Sequence, residues 1–313
     1  MFQLCEQGIQ LTNRMVLREA TCILPAFKEK STRAKELAVH RFTRSGGLTQ
    51  CQATHTAQKH FLETEADAQD FIAMMKEKMA WRNPNDVLNM DQTPIPFSYH
   101  SNKTLNIKGA KTVHARASMM DTKRVTLAAT VTAGGKMLRP FLIFKGKQNG
   151  RIAMHEFSTY PIAGKYACQD KAWMDEVAMH QWIDDVLKPW KDERDIASQS
   201  VEPPILILDA YRVHQMGSVV NRIQGMGIEV VHIAAGCTYL CQPVNVGINK
   251  PVKSRLREKW EDWMTEGEGI VDGKAKEPTR KIMAEWLVDV YTNIPEEMGK
   301  NACKKTDFEW FSN

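Results

Sequence analysis

The chain has 313 residues, of which 43% are hydrophobic and 25% charged, a composition typical of a globular protein with one large domain or two smaller ones. Its apolar runs are too short to cross a bilayer, and its N-terminus lacks the apolar core of a signal peptide. We therefore expect a soluble intracellular protein with no membrane partner. Seven scattered cysteines argue against a disulfide framework.

Positive charge is concentrated at the start of the chain. The formal net charge of the whole chain is +5, and residues 1–55 hold eight Lys and Arg against four Glu. A basic segment of this kind is suited to contact with nucleic-acid phosphates. A solvated helical face explains the same excess equally well.

Two short helices are predicted in this basic segment. They cover 12–27 and 31–44, separated by Pro25, with Ser31 as the N-cap of the second helix and Gly46-Gly47 at its end. Two short helices joined by a turn suit a helix-turn-helix, and they also suit a small helical bundle.

The rest of the chain alternates between β-rich and helical patterns. Thr93-Pro94-Ile95-Pro96 is expected to end the first strand, because proline cannot donate to a strand ladder. Ala133-Gly134-Gly135-Lys136 is a hairpin signal between two β-rich runs. The order of elements predicts a mixed α/β sheet with helices on its faces. The predicted strands are 87–90, 124–132, 137–144, 205–208 and 228–233, and the predicted helices are 56–80, 172–190, 213–226, 246–264 and 278–291. Helical spacing places Trp173, Val177, Trp182, Ile183 and Val186 for packing.

Two aspartates follow apolar strands. Asp91 comes after Val87-Leu88-Asn89-Met90, and Asp209 after the run at 205–208. In open α/β sheets the carboxyl ends of strands face the crevice where ligands bind. Carboxylates there can hold divalent cations for phosphoryl displacement. Taken singly, such an aspartate more often only caps a strand or a following helix.

Ordered motifs around these aspartates resemble the DDE transposases of the pogo/Tigger/jerky branch, which includes the centromere-protein-B type. Asn89-Met90-Asp91-Gln92-Thr93-Pro94 is similar to the first-aspartate motif of that family, and Leu208-Asp209-Ala210-Tyr211-Arg212-Val213-His214 to the second. Gln242-Pro243-Val244-Asn245 and Asn249-Lys250-Pro251 match the block around the third acidic position. The resemblance covers roughly residues 85–265.

The resemblance implies an RNase-H-like fold and Mg²⁺- or Mn²⁺-dependent DNA strand cleavage and transfer. It makes Asp91 and Asp209 metal ligands and catalytic residues. The third catalytic position falls at Asn245, where the family has aspartate, so the cation is expected to bind weakly. Glu258 is about 20 Å further along the predicted helix, too far to replace the missing carboxylate. His214 either helps to order DNA or water near Asp209 or caps its helix.

The resemblance also suggests a domain organisation. We expect a partial helix-turn-helix of the centromere-protein-B type over 1–58, truncated at its start, and a helical linker over 59–84. The DDE domain would cover 85–265 and a C-terminal helical segment 266–313. The candidate DNA contacts are the basic residues Arg33, Lys35, Arg41, Arg44, Lys250 and Lys253, of which the last two suit a solvated helix face equally well.

Three functions are compatible with these observations. The first is a domesticated, transposon-derived DNA-binding protein of the nucleus whose cleavage is impaired at Asn245. It would bind a transposon end or a site derived from one, with a homodimer as a possible assembly. The second is an active metal-dependent endonuclease that tolerates Asn245, and the third is a degenerate interaction protein with no role on DNA.

Overall fold

The fold is taken from a computed structural model that describes residues 13–45, 61–99, 123–197, 202–271 and 274–306. The chain divides into two compact units, Met1–Gln69 and Asp70–Asn313. In the part of the chain that is described, no helix is both long enough and apolar enough to span a membrane.

The first unit is a small helical structure. Helices α1 (Asn13–Ile23), α2 (Pro25–Lys28) and α3 (Thr32–Ser45) follow one another, and α4 (Phe61–Met79) begins in this unit. Ser31 caps α3 as predicted, because its Oγ accepts a hydrogen bond from the Ala34 amide at 3.3 Å. Val16, Phe27 and Val39 form the small core. The glycines predicted to end α3 lie outside the described residues.

The second unit is built on a six-stranded mixed sheet of order β4-β3-β2-β1-β5-β6. Strands β1, β2 and β3 form an antiparallel meander, and β4, β5 and β6 join it in parallel. The sheet confirms the predicted mixed α/β architecture. The strands are β1 (Val87–Pro96), β2 (Arg124–Thr132), β3 (Phe141–Lys145), β4 (Lys165–Gln169), β5 (Ile205–Leu208) and β6 (Glu229–His232), and a separate hairpin joins β7 (Ile270–Val271) to β8 (Lys274–Ala275).

Helices cover both faces of the sheet. On one face, Leu88 and Met90 of β1 pack with Trp182, Val219 and Ile223. On the other, Ile95 of β1 packs in a cluster that contains Val252, Leu287 and Ala302. The helices are α5 (Glu176–Trp182), α6 (Lys188–Ala197), α7 (Gly217–Gly225), α8 (Thr238–Cys241), α9 (Asn249–Thr265), α10 (Arg280–Thr292) and α11 (Glu296–Lys304), with wider π-turns at Ile183–Leu187 and Val244–Ile248.

Strand β1 is longer than the sequence predicts. Thr93-Pro94-Ile95-Pro96 was expected to end it, but these residues continue the ladder with β2, where Pro94 lies opposite Thr126. The neighbour on the other side, β5, pairs with β1 only as far as Asn89. Pro94 and Pro96 are two residues apart, so their backbone nitrogens face the same side of the strand. Both nitrogens lack a hydrogen, and both can face that open edge, where no strand needs a donor. Asp91 therefore lies within a strand and not at its end.

Two packing predictions in the helix before β5 were wrong. Trp173 and Val177 are about half exposed, whereas Trp182, Ile183 and Val186 are buried as expected. Trp173 precedes the helix, which begins only at Glu176, and the guanidinium of Arg124 lies 4.5 Å from its ring centroid. The spacing of apolar residues along a helix does not reveal an exposed cation–π contact of this kind.

The predicted hairpin turn between β2 and β3 is present. Gly135 has a φ of +93°, a left-handed conformation that side chains rarely adopt. A Cβ at Gly135 would also lie 2.1 Å from the Glu296 carbonyl oxygen at the start of α11. Glycine is therefore required here both by backbone conformation and by close packing.

Candidate active site

Asp91 and Asp209 lie close together, one within β1 and the other at the end of β5. Parallel pairing places Asn89 of β1 opposite Ile207 of β5; Asp91 is two residues further along β1, and Asp209 directly follows Leu208, the last residue of β5. Alternation along β1 turns the Asp91 carboxylate to the face that carries α9, because Met90 packs on the other face. Adjacent strands lie about 4.8 Å apart, so the two carboxylates are close neighbours. That these two residues form one catalytic site stays a prediction.

Asp209 is held by a short chain of hydrogen bonds. Nδ1 of the fully buried His214 donates to Asp209 Oδ1 at 2.6 Å, and the Tyr211 amide donates to the same oxygen at 3.2 Å. Gln92 Nε2 donates to His214 Nε2 at 2.6 Å, which fixes the tautomer of the imidazole. Burial alone would raise the pKa of Asp209, but the hydrogen bond from His214, together with that from the Tyr211 amide, lowers the pKa below its usual value. His214 therefore orients the carboxylate and keeps it ionised.

Asp91 is in a different electrostatic environment. It is 9% exposed, and burial, followed by repulsion from Asp209, raises its pKa to about 6. Hydrogen bonds from the Gln92 amide and from Asn249 act in the opposite direction. Neighbouring carboxylates whose pKa values are shifted in opposite directions occur at functional sites.

Asn89 connects the two strands to the third part of the site. Its side chain is buried, donates to the Ile207 carbonyl of β5 at 3.0 Å and accepts from the Val244 amide at 2.9 Å. Gln242, also buried, donates to the Met90 carbonyl at 3.5 Å. These contacts hold the segment that carries Asn245 against the strand that carries Asp91.

The predicted third position, Asn245, lies in the π-turn Val244–Ile248 and is partly exposed. Within the described residues, no hydrogen bond joins its side chain to either aspartate. Asn249, four residues later and buried, donates instead from Nδ2 to Asp91 Oδ2 at 3.2 Å. The segment is supported from behind, since a Cβ at Gly247 would lie 2.3 Å from Ala302 Cβ of α11.

Lys253 lies one further turn along α9. It is partly buried, and burial lowers its pKa while the attraction of Asp91 acts in the opposite direction. Lys250, the other predicted DNA contact on this helix, is exposed. The structure therefore places one of the two lysines beside the carboxylates and leaves the other on the surface.

The donor set fits a hard divalent cation. The described residues contain no cluster of three or more His, Cys, Asp or Glu arranged to hold a metal. They do contain the two carboxylates together with the buried amide oxygens of Gln242 and Asn249, which have no hydrogen-bond partner among those residues. Mg²⁺ prefers oxygen ligands and is often held by one or two carboxylates with water completing its shell. Asp91 and Asp209, supported by an amide oxygen, could hold such an ion.

The basic residues predicted on α3 form a surface in the first unit. Arg33, Arg41 and Arg44 are exposed, and with Leu37 they recur at spacings of four, four and three residues, which places them on one side of the helix. Lys35 lies on another side, where its Nζ donates to the Lys28 carbonyl at 2.9 Å. The face made by Arg33, Leu37, Arg41 and Arg44 is called the α3 basic face below.

Sequence reasoning did not single out Asn89, Gln92 and Asn249 as parts of the site. Their positions in the sequence could have marked them as close to the site. Asn89 and Gln92 flank Asp91, and Asn249 is one helical turn beyond Asn245. Their contacts depend on how strand and helix meet, which a single sequence does not show.

The chain belongs to a known family of DNA-acting enzymes. The family model of the DDE superfamily endonuclease matches residues 122–302, more than half of the chain. The chain is therefore a member of the DDE endonuclease superfamily, and the resemblance to its pogo branch is confirmed by the relatives.

Similar proteins include "Pogo transposable element with KRAB domain" from Homo sapiens and from Mus musculus. The human protein is 27% identical over 225 residues, which cover 69% of this chain and 34% of the relative. The mouse protein is 27% identical over 217 residues, which cover 67% and 33%. The chain thus spans about a third of the length of these curated relatives.

Solved structures of Mos1 transposase share the fold. The Mos1 mariner paired end complex with Mn matches with a TM-score of 0.55 at 11% identity, covering 93% of this chain and 75% of that one. The Mos1 strand transfer complex matches with a TM-score of 0.52 at 12% identity, covering 93% and 74%. The predicted RNase-H-like fold is thereby confirmed.

Proposed function

We propose that this chain is a transposon-derived DNA-binding protein with a DDE endonuclease domain whose strand cleavage and transfer are impaired at Asn245. The observation that carries the proposal is the proximity of Asp91, within β1, to Asp209, which directly follows β5, opposite a segment that offers amides in place of a third carboxylate. The carboxylate pair is retained with its hydrogen-bonded support, while the negative charge of the third position is absent.

Asp91 and Asp209 would hold Mg²⁺ or Mn²⁺, as expected from the resemblance to the family. Such an ion supplies Lewis acidity and charge neutralisation at the phosphate that is displaced. His214 keeps Asp209 ionised and oriented toward the ion, and Gln92 holds His214. Asn245 offers a carbonyl oxygen without negative charge, so it would hold the ion only weakly and catalysis would be reduced.

DNA binding is the second part of the proposal. It is supported by the α3 basic face, by Lys250 and Lys253 on α9, and by the Mos1 neighbours, which are a strand transfer complex and a paired end complex. The partner would be a transposon end or a derived site, bound in the nucleus by a homodimer. The domain organisation with residues 1–58 as a partial helix-turn-helix and 85–265 as the DDE domain remains part of this proposal.

Nicking of supercoiled plasmid tests the catalytic half. The protein should convert plasmid to nicked circles slowly in Mn²⁺, more slowly in Mg²⁺, and not at all as Asp209→Ala. Rapid Mg²⁺-dependent nicking that is lost in Asp209→Ala would contradict the impairment and favour an active endonuclease.

Titration of duplex DNA at several salt concentrations tests the binding half. We expect log affinity to fall with log salt, and the triple variant Arg33→Gln, Arg41→Gln, Arg44→Gln to reduce that slope by about two to three. The matched control, Lys188→Gln, Arg222→Gln, Lys259→Gln, removes the same charge from the second unit and should leave the slope nearly unchanged. Binding that is absent or insensitive to salt would favour an interaction protein without a DNA role.

A further inference from the structure

We infer that Asn249, and not Asn245, supplies the neutral oxygen ligand of the divalent cation held by Asp91 and Asp209. The inference rests on the proposed cation site and adds to it a residue one helical turn beyond the position that corresponds to the missing carboxylate. It concerns how the ion is held, and so can be tested by ion binding independently of cleavage.

The first observation is the position of the Asn249 amide. Asn249 is the first residue of α9, is 7% exposed, and donates from Nδ2 to Asp91 Oδ2 at 3.2 Å. The carbonyl oxygen of the same planar amide is bonded to the same carbon as this nitrogen, so it lies within one amide width of the Asp91 carboxylate. A neutral oxygen is thus available near Asp91 to a cation bound by that carboxylate.

The second observation is that this oxygen is buried without a hydrogen bond. Among the described residues, Asn249 Oδ1 has no partner, although buried carbonyl oxygens are nearly always satisfied. A buried acceptor without a partner costs free energy, and a neighbouring cation would remove that cost. Divalent cations with a preference for oxygen accept amide carbonyls as ligands beside carboxylates. An ion held at Asp91 would give this unpaired oxygen a partner.

Asn245 differs on both points. It is partly exposed, and its side chain makes no hydrogen bond to either aspartate within the described residues. Solvent can satisfy its amide, so its local environment supplies no reason for an ion to lie against it. The contrast between the two asparagines is what the experiment has to measure.

Direct binding of Mn²⁺ to the full chain, followed by electron paramagnetic resonance of free Mn²⁺, separates the two residues. Asn249→Leu removes the amide at nearly constant size and should raise the Kd for Mn²⁺ about tenfold. Asn245→Leu is the matched control and should change the Kd by less than about threefold. An unchanged Kd in Asn249→Leu, or an equal loss in Asn245→Leu, would overturn the inference.

Asn249→Asp provides a second variant, because it keeps the shape of the side chain and adds negative charge. It should lower the Kd for Mn²⁺ and increase the thermal stabilisation that Mn²⁺ gives, whether or not Asn249→Leu folds. Weaker Mn²⁺ binding by a folded Asn249→Asp would also overturn the inference.

Asp209→Asn separates this inference from the function on which it rests. If Asp209→Asn leaves Mn²⁺ binding intact, the proposed cation site itself fails, whereas loss in Asp209→Asn without loss in Asn249→Leu refutes only the role of Asn249.

Discussion

The two halves of the candidate site differ in how they are built and in what they have kept. The strand half, Asp91 and Asp209, lies within β1 and at the end of β5 and carries two carboxylates. The helical half, from Asn245 to Lys253, is held by packing against α11 and by one buried side chain of β1, and it presents amides and an ammonium group. The negative charge of the candidate site thus lies on the strand half alone.

The difference shows that folding contacts maintain the position of the helical half. Asn89 and Gly247 hold the helical half through hydrogen bonding and close packing, and neither contact depends on the charge at residue 245. An aspartate-to-asparagine change there costs little folding free energy because the side chain is partly exposed. The predictions below separate the two halves, starting with the largest expected effect.

The connection between the halves can be broken at Asn89. Asn89→Leu would leave the Val244 amide buried without its partner and would remove one hydrogen bond from the Ile207 carbonyl, and the lost contacts cost about 1–3 kcal/mol each. We expect the free energy of unfolding to fall by about 3 kcal/mol, as measured by urea denaturation. Asn221→Leu, at an exposed position on α7, is the control and should change stability by less than about 0.5 kcal/mol. Equal effects of the two variants would contradict the connecting role of Asn89.

The strand half can be examined through the pH dependence of stability. The pKa of Asp91 rises from 3.8 to about 6 on folding, so between these values the folded protein holds a proton that the unfolded chain has lost. The contribution of Asp91 to stability therefore falls as pH rises through this window and stays low above it. Asp91→Asn should be more stable than the parent by about 3 kcal/mol at pH 7.5 in EDTA, and by much less at pH 4.

Addition of Mn²⁺ supplies the control for that experiment. The ion should stabilise the parent at pH 7.5 and have little effect on Asp91→Asn, because the variant lacks the carboxylate that binds it. A stability difference between parent and variant that does not change from pH 4 to pH 7.5 would contradict the assigned environment of Asp91.

The helical half can be displaced at Gly247. A Cβ there would lie 2.3 Å from Ala302 Cβ and 2.6 Å from Ala302 Cα. Gly247→Ala should therefore lower the unfolding free energy by about 2 kcal/mol through overpacking, and Ala302→Gly should restore part of the loss. Gly225→Ala is the matched control, because no heavy atom lies within 4 Å of its added Cβ. It should be neutral or stabilising by a few tenths of a kcal/mol.

The smallest effect is expected at Lys253. Its ammonium group is attracted by Asp91 and would repel a cation bound there. Lys253→Met should lower the Kd for Mn²⁺ about threefold, as measured by calorimetry, whereas Lys250→Met, at an exposed position, should not. A weaker Mn²⁺ complex in Lys253→Met would show that the lysine supports the site in some other way.

Much of the sheet was predictable because buried strands carry a strong local signal. β2 and β5 were predicted with their observed bounds, Arg124–Thr132 and Ile205–Leu208. β4, at Lys165–Gln169, was missed, because it is a short edge strand only partly buried. The extension of β1 through Pro94 was missed for a different reason, since it depends on which edge of the strand is left open.

The candidate site was likewise predictable only in part. Asp91, Asp209 and Asn245 follow from ordered motifs along the chain. The contacts of Asn89, Gln92 and Asn249 do not follow from these motifs. They join residues that are more than 100 positions apart in the chain. One sequence specifies which residue types occupy the site, and only the folded chain shows which amide faces which carboxylate.

Restoration of a carboxylate at residue 245 tests the central claim most directly. Asn245→Asp should nick supercoiled plasmid in Mg²⁺ at least about tenfold faster than the parent, and the gain should disappear when Asp209→Ala is added. The DNA affinity of Asn245→Asp should remain within a few-fold of the parent, so that the gain reflects catalysis. If Asn245→Asp nicks no faster than the parent although both fold and bind Mn²⁺, the missing charge is not what limits this site, and the account is wrong.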